Sequence, residues 1–140
     1  MKNIFLTLAL MVFFTTFANA QKPEHLTEAT FKQKVHDFDK NKSWKYMGKT
    51  PAIVDFYADW CGPCRYVAPF LEQLAGEYGT KIKVYKVNTD DNPRVASAFR
   101  ITGIPSFLFI NAQGEYKMMV GAMQKADFEK EINNYLKVSK

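Results

Sequence analysis

The chain has 140 residues and a formal net charge of +5, with 47% hydrophobic and 24% charged residues. That length sets one domain as the expectation, and the composition excludes an intrinsically disordered chain. The positive charge is spread over separated lysines with no dense basic block, which argues against nucleic-acid binding, and two cysteines are too few to staple a disulfide miniprotein.

Met1-Lys2-Asn3 is a short basic start, Ile4 to Phe17 is almost wholly apolar, and Ala18-Asn19-Ala20 has the small-x-small pattern of a signal-peptidase site. The apolar run falls short of the roughly 20 residues a membrane-crossing helix needs. Residues 1–20 therefore read as a cleaved secretory signal and 21–140 as the mature domain. This implies a periplasmic or secreted protein with no stable membrane insertion after cleavage.

In the mature part, Thr30 and Gln33 have capping-box spacing for a first helix carrying Phe31, Val35 and Phe38. Asp39 to Thr50 reads as a loop whose Trp44 and Tyr46 pack down on the domain. Pro51 to Tyr57 is apolar on both pleat faces, as a buried strand requires, with Asp55 as the exception. Val67, Phe70, Leu71, Leu74 and Tyr78 then recur at helical spacing, through Pro69 and up to Gly79. Lys81 to Val87 alternates as a strand, and Asn92-Pro93 opens a short helix. Phe107 to Ile110 and Lys117 to Val120 flank Asn111-Ala112-Gln113-Gly114 as a hairpin, and Phe128, Ile132, Tyr135 and Leu136 form the stripe of a last helix begun from Gln124, a poor cap. Alternating strands and helices followed by a hairpin predict an α/β domain with a mixed sheet and helices on both faces.

Both cysteines lie in Trp60-Cys61-Gly62-Pro63-Cys64, where the buried strand passes into a helix. Free backbone N–H groups and the macrodipole at a helix start favour a thiolate at Cys61. Cys64, one turn on and expected to face inward, is close enough to cycle between dithiol and disulfide. As a structural crosslink the pair would be weak, because closing so short a loop contributes only about 2 kcal/mol. His25 and His36 have no Cys-His spacing of a zinc ribbon or haem attachment and read as surface residues; no metal is expected.

The run Val54-Asp55-Phe56-Tyr57-Ala58-Asp59-Trp60-Cys61-Gly62-Pro63-Cys64 resembles the active-site strand and turn of the thioredoxin family. His25-Leu26-Thr27 is similar to its first strand, Lys86 lies in its central strand, Gly103-Ile104-Pro105 matches the loop facing the cysteines, and Gly121 its late glycine. The resemblance covers nearly all of the mature chain and implies a thioredoxin fold, a central mixed five-stranded sheet flanked by four helices. It also implies a thiol-disulfide oxidoreductase that needs no cofactor beyond the Cys61-Cys64 couple. Cys61 is then the nucleophile, Cys64 the resolving thiol, Asp55 a mover of the Cys64 proton and Lys86 the charged neighbour of Asp55. Pro105 corresponds to the family's cis-proline, and Trp60, Gly62, Pro63, Ile104, Pro105 and Gly121 would form a flat substrate rim. Lowering a thiol from about 8.5 to about 7, the value known for this motif, raises its thiolate fraction roughly 15-fold, and lower nucleophilicity returns roughly 5-fold of that. Positioning of the second thiol must supply the larger advantage.

Gly62-Pro63 and Ile104 resemble the reducing members, so the expected role is reduction of disulfide-containing exported proteins by a monomer recharged from a membrane electron donor. An oxidase or isomerase of secreted proteins, or a non-catalytic binding module on the same rim, are the competing readings. Tyr57 stands where the family commonly has tryptophan, a departure expected not to touch the chemistry.

Overall fold

The computed structural model describes residues 21–140, so the signal segment lies outside the described residues. Eleven elements follow in chain order. They are β1 (Glu24–His25), α1 (Glu28–Lys34), β2 (Ala52–Tyr57), α2 (Gly62–Tyr78) with a 3-10 turn at Gly79–Lys81, β3 (Lys83–Asn88), α3 (Pro93–Ala98), β4 (Ser106–Ile110), β5 (Tyr116–Val120), and α4 (Lys125–Glu131) running into a π turn at Ile132–Leu136. The sheet order is β1-β3-β2-β4-β5. β3 pairs parallel with β1 and β2, while β4 pairs antiparallel with β2 and β5.

Strand β2 is central, and this explains its composition. Ile53 packs with Val67, Leu71 and Leu74 of α2 and Phe128 of α4, whereas Val54 and Phe56 pack with Phe31 of α1 and Val95 of α3. The sheet thus has a core on each face, and full burial of each large side chain contributes about 1.5–3 kcal/mol. Pro69 lies inside α2 and leaves the Arg65 carbonyl without its helical donor. Gly79 ends the helix at φ +53°, a conformation glycine adopts without steric cost.

Three local features differ from the expectations. The first helix is capped by Thr27, not Thr30: the Thr30 N–H donates to Thr27 Oγ1 at 3.3 Å and the Thr27 N–H to Thr30 Oγ1 at 2.9 Å. Leu26 still donates to the Lys86 carbonyl beside β1, so the helix starts directly after it. Gln124 does precede the last helix, but the Asp127 carboxylate supplies the cap by accepting from the Gln124 N–H at 3.1 Å. His36 is buried rather than at the surface, with Nδ1 accepting from the Lys45 N–H at 3.2 Å and its ring 5.0 Å from that of Trp44.

The 39–50 loop packs down as expected. Trp44 Nε1 donates to the Gly114 carbonyl at 2.6 Å and Tyr46 Oη to the Thr50 carbonyl at 2.7 Å. Met118 and Met119 pack against the two cores and Met123 is buried, which is ordinary core filling.

Candidate active site

Strand β2 carries the chain to Ala58, and α2 begins at Gly62. Cys61 is therefore the N-cap of α2, and its Sγ accepts from the Cys64 N–H at 3.2 Å. Pro63 sits in the first turn, where its missing N–H leaves no helical bond unmade. Cys61 and Cys64 are joined as a disulfide with their Cα atoms 5.3 Å apart. Each cysteine is 4% exposed, so the expected contrast of an outward Cys61 and an inward Cys64 is not one of exposure in this disulfide form. What differs is position on the helix. Cys61 takes the cap, where the same amide that faces its sulfur would donate to a thiolate.

The pair belongs to neither main core. It forms a small cluster with Ala58, packed by Tyr57 and Ile104, and its neighbours Trp60, Gly62 and Pro63 are exposed. The cover over the sulfurs is therefore thin. The Ile104-Pro105 bond is cis, and the Ile104 carbonyl oxygen lies 3.9 Å from Cys61 Sγ. The Pro105 carbonyl accepts from the Gly121 N–H at 2.8 Å, and Gly121 holds φ +100°, which side chains with a Cβ rarely adopt. Trp60 Nε1 donates to Asp90 Oδ2 at 2.8 Å, which fixes the indole while leaving the residue 69% exposed.

The structure thus brings Trp60, Gly62, Pro63, Ile104, Pro105 and Gly121 together around the disulfide, with Pro105 itself buried beneath the rim. Sequence reasoning missed Val120. It pairs with Ser106, next to Pro105, and is 68% exposed. Its signal was available, since an apolar residue beside a glycine at the end of an edge strand has no core to enter.

Asp55 is 2% exposed, and its Oδ1 has no hydrogen-bond partner among the described residues. Burial pushes the carboxyl up from 3.8 to about 7, against the opposing pull of the Lys86 charge. The strands place Lys86 directly opposite Asp55 in the β2–β3 pairing, as the resemblance implied. The ammonium, however, rests over the Tyr57 ring, 4.5 Å from its centroid. Tyr57 is in turn hydrogen-bonded through its hydroxyl to His25 Nδ1 at 3.2 Å. The substitution expected to be remote from the chemistry therefore contacts the cation beside Asp55. Arg65 is exposed and donates to the Asp59 carbonyl at 2.9 Å, a surface role.

A buried disulfide under a thin cover, next to a cis-proline loop and preceded in β2 by a buried ionisable carboxyl, can take two electrons from a dithiol and, once reduced, give them to another disulfide. Comparison with known proteins agrees with this chemistry. The thioredoxin family model matches residues 22–134. A thioredoxin of Borreliella burgdorferi is 42% identical over 110 residues, covering 79% of this chain and 94% of that one. Thioredoxin 1 of Nostoc is 42% identical over 111 residues with the same coverage. Among solved structures, a chloroplastic thioredoxin z superposes with a TM-score of 0.67 at 29% identity, covering 80% of this chain and 92% of that one. The chain belongs to the thioredoxin family and is a thiol-disulfide oxidoreductase.

Proposed function

We propose that the protein is an exported protein-disulfide reductase. Cys61, as thiolate, attacks one sulfur of a substrate disulfide; the substrate's other sulfur leaves as a thiolate and takes a proton, giving a mixed disulfide through Cys61. Cys64 then loses its proton, directly or through water, to the ionised Asp55 carboxylate and attacks Cys61 Sγ. The second substrate sulfur departs and is protonated. Substrate gains two electrons, and the enzyme is left as the Cys61–Cys64 disulfide. No bound cofactor enters these steps, because the cysteine pair holds the electron pair.

The observation that carries this reading is the Cys61–Cys64 disulfide at the start of α2, with the unpartnered Asp55 carboxyl in the strand leading to it. The rim supports a broad clientele. Backbone at Ile104, near the sulfur, could pair with an extended substrate segment, and such pairing gives affinity with little side-chain selection. Trp60 and Val120 add apolar area at its edges. Export rests on residues 1–20 alone, and it has a chemical corollary. Soluble reductant is scarce outside the cytoplasm, so the disulfide would be recharged by a membrane donor of the thiol-reducing type.

Equilibration with a glutathione or dithiol buffer tests the direction of flow. A midpoint near about −270 mV, typical of reducing members of this fold, supports reduction; one near about −120 mV makes the protein an oxidant and ends this reading.

A further inference from the structure

Tyr57 takes no part in the exchange steps above, yet its ring contacts the cation that stands opposite Asp55. Pairing across three neighbouring strands aligns His25 of β1 with Lys86 of β3, and Lys86 with Asp55 of β2. Partners in a parallel ladder project to the same face. Tyr57, two residues beyond Asp55, shares that face on the side toward the cysteines. Lys86 thus has two candidate partners for its ammonium, the carboxylate and the face of the ring. It takes the ring, at 4.5 Å from the centroid, while Asp55 Oδ1 is left with no hydrogen-bond partner among the described residues. The ring is held in its turn. His25 Nδ1 is hydrogen-bonded to the hydroxyl at 3.2 Å, and the imidazole stands edge-on at 6.0 Å and 79°.

We propose that Tyr57 is a positioning residue for the exchange reaction: its ring face holds the Lys86 ammonium off the Asp55 carboxylate, and His25 fixes the ring through the hydroxyl. A cation over an aromatic face is attracted by the ring quadrupole, and that attraction is strengthened where water is partly excluded. The consequence is that burial, which pushes the carboxyl up to about 7, is opposed less by the Lys86 charge than it would be by a direct ion pair. Among the described residues, the other charged or titratable groups around this row are few. They are Asp59 after β2, Asp91 after β3, and Glu28 of α1, which lines the same depression of about 450 Å³ as His25, Tyr57 and Lys86, while Cys61 and Cys64 are joined as a disulfide and carry no titrating thiol. From β4 the residue opposite Asp55 is Phe107, which carries no charge.

The positioning claim rests on the proposed proton role of Asp55 only for its kinetic consequence, so the test reads the carboxyl directly. Titration of the Asp55 carboxyl by carbon-13 NMR in the oxidised protein should show a midpoint lowered by about one pH unit in Tyr57→Leu, because the freed ammonium pairs with the carboxylate. In the Tyr57→Leu and Lys86→Met double variant that lowering should disappear, and Tyr57→Phe, which keeps the ring face, should stay closer to the unsubstituted protein than Tyr57→Leu does. A Tyr57→Leu midpoint that is unchanged or raised, a fall that persists without Lys86, or a Phe variant that shifts as far as the Leu variant overturns the proposal. Should Tyr57→Leu not fold, the unsubstituted protein still decides. The Lys86 ε-methylene protons must show an upfield ring-current displacement, and its absence is equally fatal. The acid limb of the exchange rate should follow the carboxyl. If the carboxyl moves and the limb does not, the proton role of Asp55 fails while the positioning role of Tyr57 stands.

Discussion

The two faces of the sheet treat buried polar groups in opposite ways. On the α1/α3 face the aromatic cluster of Phe31, Trp44, Tyr46, Phe56 and Phe99 encloses several polar atoms, and each is paired. Trp44 Nε1 and Tyr46 Oη donate to backbone carbonyls, and His36 Nδ1 accepts from Lys45. On the α2/α4 face the polar intruder is Asp55, and it is the residue whose buried side-chain oxygen has no partner among the described residues. A buried unpaired polar group costs stability, so a fold that pairs the others and spares this one keeps it for another purpose. That contrast separates a face whose buried polar groups serve packing from a face that, under an equally apolar core, keeps one carboxyl unpaired.

The comparison breaks most visibly on the structural side. Phe31 is fully buried, with its ring 5.4 Å from that of Phe99 and 6.4 Å from that of Phe56. Phe31→Ala should cost about 3–5 kcal/mol in denaturant unfolding. It should leave the pH dependence of disulfide exchange unchanged at temperatures where the variant is folded. A shifted pH profile would show that the two faces are not independent.

Asp55→Asn should act in the opposite sense. The carboxyl titrates at about 7 in the folded protein against 3.8 as its ordinary value. Below the lower value both states hold the proton. Between the two, the native protein keeps a proton that the unfolded chain has released, so stability falls as pH rises through this window and the loss is complete above about 7. The window corresponds to about 4 kcal/mol. Above it, Asp55→Asn should be more stable than the parent by about 2–4 kcal/mol, with the descending limb gone from a plot of unfolding free energy against pH. Exchange should be slower in the same variant. Equal stability of parent and variant at alkaline pH would mean that the carboxyl is solvated after all.

The smallest effect belongs to the surface. Arg94 joins Glu28 and Asp39, and Lys32 contacts the same two carboxylates, linking α1, the 39–50 loop and α3. Such exposed pairs contribute little and are screened by salt. Arg94→Ala should lower the melting temperature only slightly, and added salt should narrow the difference from the parent. A large, salt-insensitive drop would show that the network holds α1, the 39–50 loop and α3 together.

Much of this division is legible in the sequence, for a physical reason. Strand β2 is apolar on both faces because it lies between two neighbours under two layers of helix, so a single carboxylate in it stands out. The cysteine spacing, the prolines and the hairpin turn are also local signals. What the sequence hides depends on partners distant along the chain. His36 is buried because Trp44 and the Lys45 backbone return over it, and no periodicity in α1 announces that. The Thr27 cap is set by where β1 releases the chain. The π turn at Ile132–Leu136 preserves the apolar stripe and so leaves the pattern of Phe128, Ile132 and Leu136 unaltered. The contact of Lys86 with Tyr57 needs the parallel register of β2 and β3, which residue types alone do not specify.

The central claim concerns order: with both cysteines equally covered, the helix cap makes Cys61 the attacking sulfur and Cys64 the finishing one. Cys64→Ser and Cys61→Ser proteins, each incubated with a disulfide-containing protein and analysed by peptide mass spectrometry, test this directly. The account predicts a long-lived mixed disulfide at Cys61 in the first and little or none at Cys64 in the second. A stable adduct at Cys64 in the Cys61→Ser protein, with none at Cys61 in the other, would reverse the roles and contradict the mechanism.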